Sequence, residues 1–343
     1  MNVVFLLHCY GSMKDLVRVE KQGLYCEAGD FFIDPWMPVP KAVITHVHSD
    51  HARVGSKQYY ASRKSVPLLY HRLGADIQVA GFEFGEKFQL GNTTVSFHPA
   101  GHILGSSQVR IEHQGEVWVL SGDFKRNADP SCDAFEVVPC NVFVSEATFA
   151  VPIYRWESGD VTAKKIFDWW QADLERPSLL FCYSLGKAQR VLAELQAFTS
   201  QSVYLHGAVE GLTQIYRDEG ISMVKTIAVS SMPKDHTFNG DLILAPPSAH
   251  RSPWMKRFKD PQTAFASGWM QVRGARRRKG YEKGFVLSDH ADWSDLVRTA
   301  HDTGAHTIFL THGKTEILDR FLTDQGLKVR LFTTQYEDVE EGA

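Results

Sequence analysis

The run Thr45-His46-Val47-His48-Ser49-Asp50-His51 constrains this chain more than any other stretch. Three histidines and an aspartate fall within six residues, directly behind the apolar Ala42-Val43-Ile44. That apolar run has the length and β-branched content of a short buried strand. Side chains alternate along a strand, so His46 and His48 can point the same way and grip one cation. Asp50 and His51 follow where the strand gives way to a loop or helix, and can reach a second. A surface loop that happens to be rich in histidine is the alternative, and it does not explain why HxHxDH sits behind a buried strand. Mixed imidazole and carboxylate ligation suits zinc first and manganese next, ahead of calcium or magnesium. The pattern implies a metal-dependent hydrolase.

At 343 residues the chain is long enough for two domains, each with its own core. No apolar run approaches the roughly 20 residues that a membrane span requires. The net charge of −3 gives no global attraction to nucleic acid, so such binding has to come from a local basic patch. Five cysteines at irregular spacing, without CxxC, argue against a disulfide framework and for a reducing, cytoplasmic setting. The apolar stretch from Met1 to Ser12 lacks the basic segment and cleavage site of a signal peptide, and Met13 is the expected start because amphipathic patterning begins at Leu16-Val17.

Further ligand types recur at the ends of expected strands. Residues 13–34 read as two short strands, the second ending at Asp34 before Pro35. Asp34 fits equally a carboxylate that orients metal ligands and a turn cap. Ser62 to Leu73 reads as a helix and Thr93 to His98 as a strand, followed by Pro99-Ala100-Gly101-His102-Ile103-Leu104-Gly105-Ser106. The glycines there let the backbone approach a ligand, although His102 taken alone reads as a surface histidine. A hairpin over Val109 to Val119 feeds a strand ending in Asp123, whose two oxygens can bridge two cations, and Val142 to Ser145 delivers Glu146 in the same manner.

The middle of the chain, about 151–275, changes character. Asp160 to Leu174 reads as an amphipathic helix with Ile166, Trp169, Trp170 and Leu174 inward. Ser178 to Tyr183 reads as a strand running through Ser184-Leu185-Gly186-Lys187 into a helix over Ala188 to Phe198. That turn fits equally a phosphate site and an ordinary β–α connection, and it lacks the spacing of an NTP-binding loop. Further strand–helix alternation suggests a small parallel α/β domain. Residues 273–279 hold five positive charges, among them Arg276, Arg277 and Arg278, and read as a backbone-phosphate contact rather than merely a solvated face. Phe285 to Ser288 reads as a strand leading to Asp289-His290, and a last one leads from His306 to Leu310-Thr311-His312-Gly313.

The series Asp34, HxHxDH, His102, Asp123 and Glu146 resembles the metallo-β-lactamase fold, an αββα sandwich with metals at its strand ends. With His290 and His312 as extra motifs, the chain from about residue 13 is similar to the β-CASP nucleases of that fold, in which an α/β domain interrupts the hydrolase domain. The resemblance implies a metallo-β-lactamase domain over 13–150 and 276–343 and a β-CASP domain over 151–275. Gly23 to Asp30 leading into Ile33-Asp34-Pro35-Trp36 looks most like the bacterial ligase-associated DNA exonucleases.

That likeness implies a DNA exonuclease acting 5′ to 3′ in repair, with DNA as substrate and a DNA ligase and helicase as partners. It implies two divalent metal ions, with His46, His48 and His102 on one, Asp50, His51 and His312 on the other, and Asp123 between them. Asp50, His290 and Glu146 are the expected catalytic groups, His290 protonating the leaving oxygen with Glu146 fixing its tautomer. Ser184, Gly186 and Lys187 are the expected terminal-phosphate site. DNA-specific members tend to carry Val where this chain has His312, so an RNA-processing nuclease is the alternative, and a small-molecule metallo-hydrolase a more distant one.

Overall fold

The computed structural model describes residues 15–272 and 280–335. Met13 and the basic run with Arg276, Arg277 and Arg278 lie outside the described residues. The fold class is mixed α/β, with three sheets among the described residues.

The first sheet runs in chain order: β1 (Val17–Glu20), β2 (Gly23–Cys26), β3 (Phe31–Ile33), β4 (Lys41–Val43), β5 (Gln58–Ser62) and β6 (Val79–Phe82). Residues 13–34 thus give three strands where two were expected. The extra one arises because the Lys21-Gln22 turn splits the first run into an antiparallel hairpin. A short 3-10 turn over Arg63–Ser65 precedes α1 (Val66–Leu73), so the expected helix starts later, at Pro67 in its first turn.

The second sheet begins with β7 (Lys87–Leu90), β8 (Thr93–Pro99), β9 (Ser107–His113), β10 (Glu116–Leu120) and β11 (Val142–Glu146). The chain then leaves it for α2 (Gly159–Gln171) and the third sheet. That sheet is built from β12 (Ser178–Phe181), β13 (Val203–Leu205), β14 (Thr226–Ala228), β15 (Leu242–Ala245), β16 (Gln262–Ala266) and β17 (Lys283–Phe285). All its pairings are parallel, in the order β14-β13-β15-β12-β16-β17. Parallel neighbours need crossovers, and α3 (Lys187–Leu195) and α4 (Gly207–Asp218) supply two of them. The chain returns through α5 (Trp293–Asp302), β18 (Thr307–Thr311), α6 (Glu316–Asp324) and β19 (Lys328–Leu331), the two strands completing the second sheet beside β11.

Burial patterns explain the layering. β11 is buried at every position, as a central strand covered on both faces must be. One face of the second sheet meets the first through Val95, Phe97, Trp118 and Phe309 against Val17, Phe31 and Val43. Its other face, with Val119, Phe143 and Ile308, is covered by Leu296 and Ala300 of α5 and Leu318 and Leu322 of α6. The outer face of the first sheet packs on Leu68 and Leu69 of α1, and that core runs on without a break into α2, α3, α4 and the third sheet.

Two expectations fail locally. Leu174 is 50% exposed rather than inward, because α2 ends at Gln171 and the segment turns before Pro177. The strand expected over Phe285 to Ser288 ends at Phe285, leaving 286–292 as an extended connection between the third sheet and α5.

Candidate metal centre

Each of the strand-end groups arrives where the two facing sheets open. Asp34 follows β3, residues 45–51 follow β4, His102 lies in the turn between β8 and β9, Asp123 follows β10, Glu146 ends β11, and His312 follows β18. The backbone is left-handed at Asp34 (φ 43°) and His312 (φ 60°), a conformation that L-residues adopt at a cost. His312 is followed by Gly313 at φ 72°, where a Cβ would stand 2.3 Å from the Ala147 carbonyl oxygen. Only glycine fits that close approach.

Ring nitrogens of His46, His48 and His102 converge with a carboxylate oxygen of Asp123, and His51 and His312 converge with Asp123 as a second group. His48 Nδ1 lies 3.2 Å from His46 Nε2 and 3.1 Å from His102 Nε2. The outward-facing nitrogens decide what these three can be. His102 Nδ1 lies 2.7 Å from the Asp289 carbonyl and His48 Nε2 3.1 Å from the Leu185 carbonyl, and a carbonyl only accepts. Both nitrogens therefore carry the proton, which leaves His102 Nε2 and His48 Nδ1 as lone pairs.

The third case is set through Asp34. The Thr45 hydroxyl donates to Asp34 Oδ2 at 2.5 Å, so it must accept from His46 Nδ1–H at 3.1 Å. His46 Nε2 is then a lone pair as well. Three imidazole lone pairs face one another at hydrogen-bond distance with no proton between them, an arrangement that repels unless a cation lies at its centre.

Burial holds these rings neutral, the form that ligates. It pushes His46 and His102 well below the ordinary histidine value, and takes His48 down to about 4. His51 behaves oppositely: burial disfavours its charge, but Asp123, Asp50 and Asp34 overcome it and raise the ring to about 10. Its Nδ1–H donates to Asp34 Oδ2 at 2.7 Å, while Nε2 faces Asp50 Oδ2 at 3.5 Å and Asp123 Oδ1 at 3.6 Å. The second group thus already stabilises one positive charge at that nitrogen. Asp123 turns Oδ2 toward His46 (3.4 Å) and His102 (3.7 Å), and Oδ1 toward His51, so its two oxygens divide between the two groups. The His51 and His312 rings stack at 5.3 Å. The donor set, imidazole with carboxylate, fits divalent zinc or manganese.

Glu146 is fully engaged. Its Oε2 accepts from His290 Nδ1–H at 2.8 Å and from the Thr148 hydroxyl at 2.6 Å, and its Oε1 accepts from the Phe124 amide at 2.7 Å. His290 Nδ1 lies 3.9 Å from Asp123 Oδ2, so the pair adjoins the metal-capable groups. A cavity of about 760 Å³ opens over the centre, lined on one side by His48, Asp50, His102, Asp123, His290 and His312. Tyr183, Ser184, Lys187, Ser248 and Trp269 line it from the third-sheet side.

Lys187 is buried, with Nζ 3.5 Å from Asp289 Oδ2, and the Gly186 amide donates to Gln189 Oε1 at 2.8 Å. The groups that sequence reasoning missed are Thr45, Asp289 and the Leu185 carbonyl. Thr45 sat unused inside the motif, whereas backbone carbonyl partners carry no residue-type signal. His71 and Arg72 also line the cavity.

A sandwich that gathers imidazoles and carboxylates at its strand ends defines the chain as a protein able to hold metal ions there. No protein-family model matches the chain. It is similar to a probable DNA ligase of Opitutus terrae, 29% identical over 310 residues, which is 89% of this chain and 30% of that protein. It is also similar to the endoribonuclease YSH1 of Gibberella zeae, 25% identical over 165 residues, 46% of this chain and 19% of the relative. The chain thus spans less than a third of the length of either relative. A solved protein of unknown function from Enterococcus faecalis shares the fold, with a TM-score of 0.61, 11% identity, and coverage of 87% of this chain and 80% of that one. These likenesses fit the resemblance of the chain's motif set to the β-CASP group of metallo-β-lactamase-fold proteins.

Proposed function

We propose that the chain is a metal-dependent DNA exonuclease acting 5′ to 3′ in DNA repair. The observation that carries the hydrolase part is the convergence of the three lone pairs of His46, His48 and His102 beside a two-sided Asp123. In this reading His46, His48 and His102 hold one divalent ion, Asp50, His51 and His312 the other, and Asp123 both, zinc first and manganese next. Two such ions would supply a water activated for in-line attack and neutralise charge on the phosphate.

The chain's own residues do the rest. Asp34 orients His51 and, through Thr45, His46. Asp50 keeps a negative charge beside His51. Glu146 holds His290 by its Nδ1–H, and His290 would pass a proton from Nε2 to the leaving oxygen. Ser184 and Lys187, which line the cavity on either side of Gly186, would take a terminal phosphate, and Arg276, Arg277 and Arg278 would follow the strand backbone. The domain division goes with this reading, a metallo-β-lactamase sandwich over 13–150 and 276–343 with a β-CASP insert over 151–275, except that β17 (Lys283–Phe285) pairs in the third sheet and carries the insert past 275.

Likeness to a probable DNA ligase supports DNA as substrate and a ligase as partner; a helicase of the same repair system follows from the family resemblance alone. Likeness to an endoribonuclease, together with His312, supports RNA processing as the second reading. No helix among the described residues is long and apolar enough to cross a membrane.

The deciding experiment supplies end-labelled single-stranded DNA and RNA, each with a 5′-phosphate or a 5′-hydroxyl, and zinc or manganese. An Asp50→Ala/His51→Ala variant is the control. Stepwise loss of DNA from a phosphorylated 5′ end, absent in the control, is the expected result. Cleavage of RNA alone moves the protein to RNA processing, and activity on neither polymer sinks the nuclease reading.

A further inference from the structure

The third-sheet unit does more than wall the cavity. Two of the three converging histidines owe their tautomers to backbone carbonyls that this unit supplies or grips. Leu185, in the turn between β12 and α3, accepts the Nε2–H of His48. Asp289, on the connection back from β17, accepts the Nδ1–H of His102. Nothing in the 286–292 connection is regular secondary structure. Its ends are tied by the Thr162 hydroxyl donating to the Val286 carbonyl (3.1 Å), Trp156 Nε1 to the His290 carbonyl (2.9 Å) and the Ala291 amide to the Phe124 carbonyl (2.6 Å).

Between those ties, at Ser288 and Asp289, the contacts come from α3. Arg190, 2% exposed, donates from Nη1 to the Ser288 carbonyl at 2.6 Å and lies 3.4 Å from Asp289 Oδ1. Lys187, one turn earlier, lies 3.5 Å from Asp289 Oδ2. Arg190 is itself held: its Nε lies 3.5 Å from Asp129 Oδ2 and 3.4 Å from Glu194 Oε1. Asp129 also pairs with Lys125, two residues beyond Asp123. A buried charge network of this kind is a costly way to obtain stability alone, since apolar packing of equal volume does as well. It is an effective way to fix one geometry.

We infer that α3 is a working part of the metal centre: Arg190 and Lys187 clamp Ser288 and Asp289 so that His102 is held as its Nδ1–H tautomer, while the turn ahead of α3 holds His48 as its Nε2–H tautomer. Both are positioning roles. Metal affinity at the first site then depends on how the third-sheet unit is seated, even though the unit contributes no ligand. His46, set by Thr45 and Asp34 within the sandwich, is independent of it. This inference rests on the reading of the histidine cluster as a metal centre.

The test uses the full chain. Histidine ring nitrogens of the metal-free protein are recorded by long-range ¹H–¹⁵N correlation, and zinc affinity is measured by competition with a chromophoric chelator. Wild type should show His46 and His102 protonated at Nδ1 and His48 at Nε2. In Arg190→Met the His102 pattern should become mixed while His46 is unchanged, with a 10- to 100-fold weaker first zinc site, as expected when a partner behind a ligating histidine is lost. Arg190→Lys should recover part of that loss. Thr45→Val should do the converse, disturbing His46 and sparing His102. A folded Arg190→Met protein with the wild-type His102 pattern and unchanged zinc affinity overturns the inference. Should Arg190→Met not fold, Asp289→Asn carries the same expectation and the same overturning result, because it keeps the carbonyl and removes the ion pairs of Asp289 with Arg190 and Lys187. Wild-type protein that binds no zinc sinks the metal-centre reading itself, whereas two zinc ions bound with unaltered variants sinks the clamp alone.

Discussion

At the scale of single residues, Asp34 has the widest reach. It accepts the Thr45 amide at 2.8 Å, the Thr45 hydroxyl at 2.5 Å and the His51 Nδ1–H at 2.7 Å, and so touches the partners of both ligand groups. An asparagine there turns one acceptor into a donor, which faces either Thr45 or His51 and opposes it. Asp34→Asn should therefore weaken both metal sites by about 10- to 100-fold, whereas Thr45→Val should weaken only the site of His46; chelator competition distinguishes the two. Glu146→Gln makes the companion case. Three donors converge on that carboxylate, so an amide must oppose one of them. Rate should fall with the basic limb of the pH–rate profile displaced; an unmoved limb would mean that His290 does not donate the proton. Which residues gather was legible from the strand-end rhythm of Asp34, His46, Asp123 and Glu146. Which nitrogen of each ring faces inward was not, because Leu185 and Asp289 act through backbone carbonyls that any residue type offers.

At the scale of elements, the β12–α3 turn shows why a correct local reading can leave the role open. Its pattern gave strand, glycine turn and helix, and the structure has all three. The turn's neighbours come from about 100 residues on in the sequence, beyond the reach of any local pattern. The buried network on α3 makes a prediction with a definite sign. Burial favours the neutral carboxyl of Asp129, but Lys125 and Arg190 hold it below the ordinary aspartate value; Lys187, Lys125 and Arg190 likewise take Asp289 down to about 2. Groups with depressed folded-state values stabilise fully above the unfolded value near 3.8 and lose that contribution as pH falls through the folded one. Stability should thus decline between about pH 4 and pH 2, measured by urea unfolding of the metal-free protein, and Asp289→Asn should flatten that decline. At pH 7, Asp129→Asn leaves buried cations short of a counter-charge and should cost on the order of 3–5 kcal/mol.

At the scale of the whole molecule, the question is whether the cavity is preformed or closes on a substrate by domain movement. Units joined by polar linkers normally unfold separately. Here the apolar core passes from Ala42, Tyr59 and Leu68 of the sandwich to Leu180, Leu192 and Leu205 of the third-sheet unit without interruption, and the Arg190 network crosses the same boundary. Breaking that contact exposes apolar surface and unpairs buried charges together, so separate unfolding is disfavoured twice. Calorimetry of the metal-free chain should show one transition, and bound zinc should raise it, by about 2.7 kcal/mol of stability at 100-fold excess over Kd. Excess chelator should return the transition to its metal-free position. Arg190→Met removes only the ionic half of the contact, and should lower the transition without splitting it. Two resolved transitions in the wild-type protein would mean that the third-sheet unit is only loosely seated. The cavity would then have to be assembled at each encounter with substrate, and a clamp acting through Asp289 could not hold His102 in the meantime.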